Sequence, residues 1–571
     1  MRWRFLLLVV SLCPATTLAQ ENRDPLRFVP PDSTVVAKIE CPPKLYDSVY
    51  KLDVVRGALE TAGVKDFYDS TNYRRFQQLL AYFEKALGKD RYQLLDGLTG
   101  GGVSVVGRLE KPGSALLVVQ AKDEALLKDF AKLATELVEK ELVRQESKEK
   151  LRHSVKDGIE TFAVGPVRAA IVDGALLVAS DDKMLAAALA ARKKPAEPDA
   201  RRTARADIPP SAHAWVWLDL ERFRNLPDVK PGFDAAGKDV GAKFIFGGIH
   251  DVLRRSPWMT TALVEDGGEW RLSLRMPSGR DGMSPISNLV VPATTKVPGS
   301  LPLLRPPRTL ASFSGFLDLG SMWDHRKEIF GAKQAEEMDK GEANISKALL
   351  GVKIGNLFRQ AGPHYRVVFA SPEKSPYAQV PGTKIPAFAV VVDMRDPKFG
   401  KTVDFFLRGF GLIGVLASKG SVKIADQEHA GVKFLTVRFP EDKPFAGDDA
   451  GFRFNYDPCF AIVGDQAIFS SSVELGKDLI DLLKKDSKTD AGSPAVSRTM
   501  LYSAGAVHAL RAGEDQVLTQ LILNQALPPG AARNEVNKII ALVERLGTIG
   551  YDVDYREHEF RFDLRWNRRS K

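Results

Sequence analysis

From Leu116 to Gly158 the chain runs in register, without a gap, against the stretch from Ala389 to Gly431. Val118-Val119-Gln120-Ala121-Lys122-Asp123 lies over Val391-Val392-Asp393-Met394-Arg395-Asp396, and Lys128 and Gly158 fall on Lys401 and Gly431 at the same separation of 273 residues. An internal repeat of this kind constrains the architecture before any element is assigned, because whatever is built once must be built twice. It also filters chemistry, since a reactive residue in one copy can be compared with its partner in the other.

The repeated block reads as a strand leading into a helix. Asp123 precedes Glu124 and the stripe Leu126, Phe130, Leu133 and Leu137, so its carboxylate is placed to accept from the free amides of the first helical turn. Asp396 has the same setting, with Pro397 at the first helical position. Helix capping accounts for both aspartates without catalysis. A hairpin follows in each copy: Ala170-Ile171-Val172 turns through Asp173-Gly174 into Ala175-Leu176-Leu177-Val178, and Ala461-Ile462-Val463 turns through Gly464-Asp465 into Ala467-Ile468-Phe469. Helices are expected over 183–191 and 475–483, and further strands over 214–220 and 500–507. Each copy closes on alternating residues, Trp270-Arg271-Leu272-Ser273-Leu274-Arg275 and Phe560-Arg561-Phe562-Asp563-Leu564-Arg565, which put one face on a core.

Ahead of the block, Phe28-Val29-Pro30-Pro31-Asp32 and Leu304-Arg305-Pro306-Pro307-Arg308 mark where the two copies enter their sheets. Phe76, Leu79, Leu80, Phe83 and Leu87 form one helical stripe with Gly88 just past it, read as facing a core. The fold class expected is α+β: two tandem homologous domains, each a largely antiparallel sheet with helices packed on it. Their ranges are 28–276 for copy one and 308–571 for copy two, joined by a linker rich in Pro, Gly and Ser over 277–307.

Residues 1–19 read as an export signal, with Arg2 and Arg4 ahead of the apolar run Phe5 to Leu12 and the small residues Thr17-Leu18-Ala19 at the cleavage site. The run is far shorter than the roughly 20 residues needed to span a bilayer. The strongest later apolar stretch, Phe405 to Ala417, holds Arg408 and three glycines and reads as a buried amphipathic helix, so no transmembrane segment is expected after cleavage. The net charge of +9 over 571 residues is spread along the chain and is no signature of nucleic-acid binding. Beyond Cys13 the chain has Cys41 and Cys459, too few for a disulfide framework and read as two separate buried thiols.

The order of elements, the Phe-Val-Pro-Pro-Asp-Ser-Thr opening and the strand-Asp-helix block resemble a family of exported bacterial proteins known only as a domain of unknown function. That resemblance implies location and fold, and it brings no catalytic residues.

Sites of chemistry are sparse. Gly400-Lys401-Thr402 starts a helix after a strand, but a phosphate-binding loop needs glycine at 395, where Arg395 stands. Gly100-Gly101-Gly102 precedes a strand and reads as a turn. The eight histidines show no metal-ligand spacing, and the acidic loop from Asp442 to Asp457, with Asp448 and Asp449, lacks the alternation of a calcium loop. No cofactor is expected. The copies differ most in tryptophan: Trp215, Trp217, Trp258 and Trp270 in the first align with Leu501, Ser503, Thr548 and Phe560 in the second. Exposed, these four indoles would make a flat ligand platform; packed, they would make core, and packing is the favoured alternative.

The reading that follows is an exported, non-enzymatic protein that binds or scaffolds an unidentified component or protein of the periplasm or cell envelope, with a periplasmic or extracellular location. The alternatives are an envelope hydrolase whose site is assembled from loops between the copies, and a small-ligand carrier.

Overall fold

The computed structural model describes residues 23–59, 61–236, 240–292, 297–348, 351–418, 420–445, 447–448, 450–485 and 492–568. The expected export signal, residues 1–19, lies outside them. The chain divides into two compact units, one of residues 1–233 and 256–277, the other of 234–255 and 278–571.

The first unit is built on β1 (Val35–Ile39), β2 (Val103–Arg108), β3 (Ser114–Gln120), β4 (Arg152–Lys156), β5 (Ile159–Val164), β6 (Val167–Val172), β7 (Ala175–Ala179), β8 (Ala212–Asp219), β9 (Trp258–Asp266) and β10 (Glu269–Met276). They pair antiparallel in the spatial order 4-5-6-7-3-2-1-8-9-10. The second unit has β11 (Thr309–Phe316), β12 (Ala361–Ala370), β13 (Ala387–Met394), β14 (Lys423–His429), β15 (Val432–Arg438), β16 (Cys459–Val463), β17 (Gln466–Ser470), β18 (Ser497–Tyr502), β19 (Thr548–Tyr555) and β20 (Phe560–Asn567). Their order is 14-15-16-17-13-12-11-18-19-20, the same path taken again, all antiparallel. Helices pack on both sheets, so the α+β class holds.

Local chemistry explains the joints. Asp173 and Gly174 both take positive φ, 49° and 67°, which lets the two-residue turn follow the twist of β6 and β7. Asp123 accepts the Leu126 amide at 3.0 Å and starts the helix Glu124–Arg144, while Asp396 accepts from Lys398 at 2.9 Å ahead of Lys398–Ala417. Gly400 lies inside that second helix, where an added Cβ would meet the Ile462 side chain at 2.7 Å. It is a close-packing glycine and not part of a loop.

The cores sit where the alternation puts them. Along β9 every second residue, Trp258, Thr260, Ala262 and Val264, is buried, and Trp258, Ala262 and Val264 join Val36, Val106, Leu116, Leu177 and Met184 in the first core. The second core gathers Val368, Ala389, Val391, Phe434, Ile468, Leu479 and Ile480.

Three expectations shift. The strand expected over 500–507 ends at Tyr502, and Ser503–Ala512 is a helix. Its alanines favour that state, and Gly505 is seated so close to the Thr309 carbonyl that a side chain there would collide with it. The segment Asp234–Arg255 falls in the range 28–276 but belongs to the second unit, where Arg255 donates to the carbonyls of Gly279 at 2.7 Å and Asp281 at 2.6 Å. The stretch expected as a linker carries fixed structure of its own, with a 3-10 turn at Ser287–Val290 and a bridge from Ser300 to Ser493.

Candidate functional site

The four tryptophans are core residues. Trp215, Trp217, Trp258 and Trp270 are 3, 2, 5 and 6% exposed, so the flat platform they would form as surface residues does not exist. The Trp215 indole donates to Glu40 at 2.8 Å, and the Trp270 ring stacks on His213 with centroids 5.4 Å apart. Their counterparts also change. Reading the ladders outward from the repeated block, Val118 leads through Ser104 and Lys38 to Trp215, and Val391 leads through Arg366 and Ser314 to Arg498. The same path carries Trp217 to Met500, so these two pairs differ by three residues from the alignment by sequence. Thr548 and Phe560 keep their places opposite Trp258 and Trp270, and Arg498 pairs with Asp552 at 3.4 Å.

The acidic loop is occupied by its own contacts. Asp448 pairs with Arg453 at 2.8 Å, and Asp457 accepts the amide of Val473, the first residue of the helix Val473–Lys485, at 3.1 Å. Asp449 lies outside the described residues. Burial pushes the Asp457 carboxyl up to about 6 against that hydrogen bond. No three His, Cys, Asp or Glu side chains among the described residues are grouped to hold a metal.

Both thiols are free, Cys459 buried and Cys41 half-buried. Burial pushes the Cys459 thiol up to about 12, which leaves about one ten-thousandth as thiolate at pH 8. Labelling with a disulfide reagent is expected to give the same native thiol count for the wild type and Cys459→Ala, and a count larger by one for the wild type in denaturant. Fast native labelling of Cys459 would place it at the surface.

A charged cleft in the second unit gathers Arg305, Arg308, Asp478, Asp481, Tyr502 and His508. Arg308 stands at φ 57°, a conformation uncommon for a side chain this large, and its guanidinium holds the Ser371 carbonyl at 3.0 Å, Glu373 at 3.1 Å and Glu474. Asp481 pairs with His429 at 3.0 Å, and burial raises the Asp478 carboxyl. Arg308 and Asp481 are thus held by partners from outside the cleft lining, Glu373, Glu474 and His429, and the Arg305 guanidinium lies over the Tyr502 ring with 4.6 Å to its centre. A smaller hollow of about 200 Å³ between Pro372, Pro376, Pro381, Pro386 and Phe454 is below the roughly 300 Å³ at which ligand pockets begin.

The surface that stands out is aromatic. Of the stripe on the helix Thr71–Leu87, Leu80, Phe83 and Leu87 pack with Leu94 and Leu126, whereas Phe76 is 56% exposed and Leu79 is also open. Phe67, 61% exposed, lies 5.6 Å from Tyr73, and Tyr68 meets Tyr73 edge-on at 4.5 Å. Tyr46 stacks on Tyr50 at 5.6 Å, both exposed. Periodicity finds such a stripe but not the length over which a partner covers it.

Neither a family model nor a curated protein matches the chain. Among solved structures it resembles the Treponema protein TP0453 in crystal forms I and III, at 11% and 12% identity. The matches cover 46% and 49% of this chain and 81% and 89% of that one, with a TM-score of 0.24 for both. A likeness that loose carries no argument about function. No helix among the described residues is long and apolar enough to cross a membrane.

Proposed function

We propose that this is an exported, non-enzymatic protein of the bacterial periplasm or cell envelope, built from a duplicated α+β unit, whose work is to bind or scaffold another envelope component. The exposed ring cluster of Phe67, Tyr68 and Phe76 around Tyr73, together with the exposed stacked pair Tyr46 and Tyr50, carries the reading, because rings left open to water in number are a recognition surface more often than an accident of packing. The shared strand order of the two units supports duplication.

Affinity capture from the protein's own envelope fraction tests it, with bound lipids, glycans and proteins identified together. A specific component is expected with the wild type and is expected to be lost, by about tenfold or more, in Phe67→Ser/Phe76→Ser. Capture of nothing specific, together with turnover of a generic ester or glycan substrate, would overturn the reading in favour of a hydrolase.

A further inference from the structure

The helix Lys398–Ala417 is the most apolar exposed element of the second unit. No residue from 401 to 415 is buried. Phe405, Leu412 and Ile413 are 56, 60 and 61% exposed, and with Gly409 they fall at the i, i+4, i+7, i+8 spacing that lines one side of a helix. Phe410 and Leu407 are exposed as well, on other sides of the helix. Just past the helix the Ser421 hydroxyl donates to the Pro444 carbonyl at 2.8 Å, beside exposed Phe445.

The repeat gives this face its meaning. At the separation of 273, the helix Glu124–Arg144 places exposed Lys132, Glu139 and Lys140 where this one places Phe405, Leu412 and Ile413. One fold position is charged and wetted in the first copy and apolar in the second. The charge balance differs too. The earlier helix has the acids Glu124, Asp129, Glu136, Glu139 and Glu141 against Lys128, Lys132, Lys140 and Arg144. The later one has Lys398, Lys401 and Arg408 against Asp404 alone. Asp404 binds Arg408 at 2.8 Å, which leaves the exposed Lys398 and Lys401 at one end of the apolar stripe.

We propose that the Lys398–Ala417 helix docks the protein on an anionic lipid surface. It lies in the interfacial plane with Phe405, Leu412 and Ile413 among the acyl chains and the two lysines at the headgroups. Apolar rings and branched side chains on one side, cations at the edge and too little apolar length to span are the features of a helix that lies on a membrane. The lysines select the occupant, since an acidic bilayer complements them and a second apolar helix does not. This surface belongs to the second unit and the exposed aromatic residues to the first, so either reading can fail alone.

Co-sedimentation of the full chain with vesicles of mixed phosphatidylglycerol and phosphatidylcholine tests the proposal. Binding is expected, weakened about tenfold or more in Phe405→Ser/Leu412→Ser/Ile413→Ser. Lys398→Gln/Lys401→Gln is expected to lose binding to the mixed vesicles and leave any binding to pure phosphatidylcholine unchanged. Hydrogen exchange over 398–417 in the wild type, expected to slow when vesicles are added, needs no variant and reads the same contact. Wild type that stays in the supernatant, exchange unchanged by vesicles, or a wild-type oligomer that becomes monomeric in the triple serine variant would overturn the proposal, the last by giving the face to a second copy. Envelope capture retained through the aromatic face alongside any of these would sink the lipid contact alone.

Discussion

Trp217→Ala is expected to cost about 3–5 kcal/mol of stability, among the largest losses available to one substitution in the first unit. The ring is 2% exposed, lies in the core beside Val36 and Thr260, and has the Arg201 guanidinium 5.9 Å from its centre. Removing it leaves a void bounded by β1 and β9, which are held by their own ladders and cannot collapse into it. Trp217→Phe is expected to cost far less, under about 1.5 kcal/mol, because the indole N–H has no hydrogen-bond partner to lose. Trp215→Phe is the contrasting control, since it breaks the bond to Glu40. Denaturant melts of the three variants decide it. A Trp217→Ala loss below about 1 kcal/mol would return that ring to the surface, and with it the ligand platform.

Asp457→Asn is expected to raise stability at pH 7.5 by about 2–3 kcal/mol and to lose that advantage in acid. Burial lifts the carboxyl from 3.8 to about 6, so the folded state prefers the protonated form. The sign follows: the stabilisation is complete below the unfolded value of 3.8 and is lost as pH rises through about 6. Above that, the folded protein carries a charge in a place that resists it. Asparagine keeps an oxygen for the Val473 amide and removes the charge. The difference in melting between variant and wild type is expected to open between about pH 4 and pH 6, the window of that shift. A difference constant across it would mean that the carboxylate sits in water.

The legible parts of this fold are those set by local rules. The Asp123 cap, the turn at Asp173-Gly174 and the strands of the repeated block all stand where spacing places them, while the second helix starts at Lys398, one residue past the expected Pro397, with Asp396 accepting from its first amide. The errors share a cause, which is that periodicity says which residues share a face and not what covers it. Phe405 to Ala417 reads as buried because it is apolar, yet apolar residues need not be inside, and here the outward side is the greasy one. The stripe from Phe76 to Leu87 fails by halves, covered at Leu80, Phe83 and Leu87 and open at Phe76 and Leu79. Met500 to Val507 misleads differently, since a short run of small and apolar residues suits strand and helix alike until the tight seat of Gly505 decides it.

The backbone passes between the two units at 233/234, at 255/256 and at 277/278. No single scission can therefore separate them. A gene fragment beginning at residue 278 encodes the second sheet without Val240–Arg255, leaving the carbonyls of Gly279 and Asp281 without the arginine that holds them. During synthesis this segment leaves the ribosome before the rest of its own unit exists and must wait for it, while the β9–β10 hairpin made after it goes back to complete the earlier sheet. The two units, which repeat one strand order, are in this way interlaced along the chain, and neither is encoded by one unbroken stretch of it.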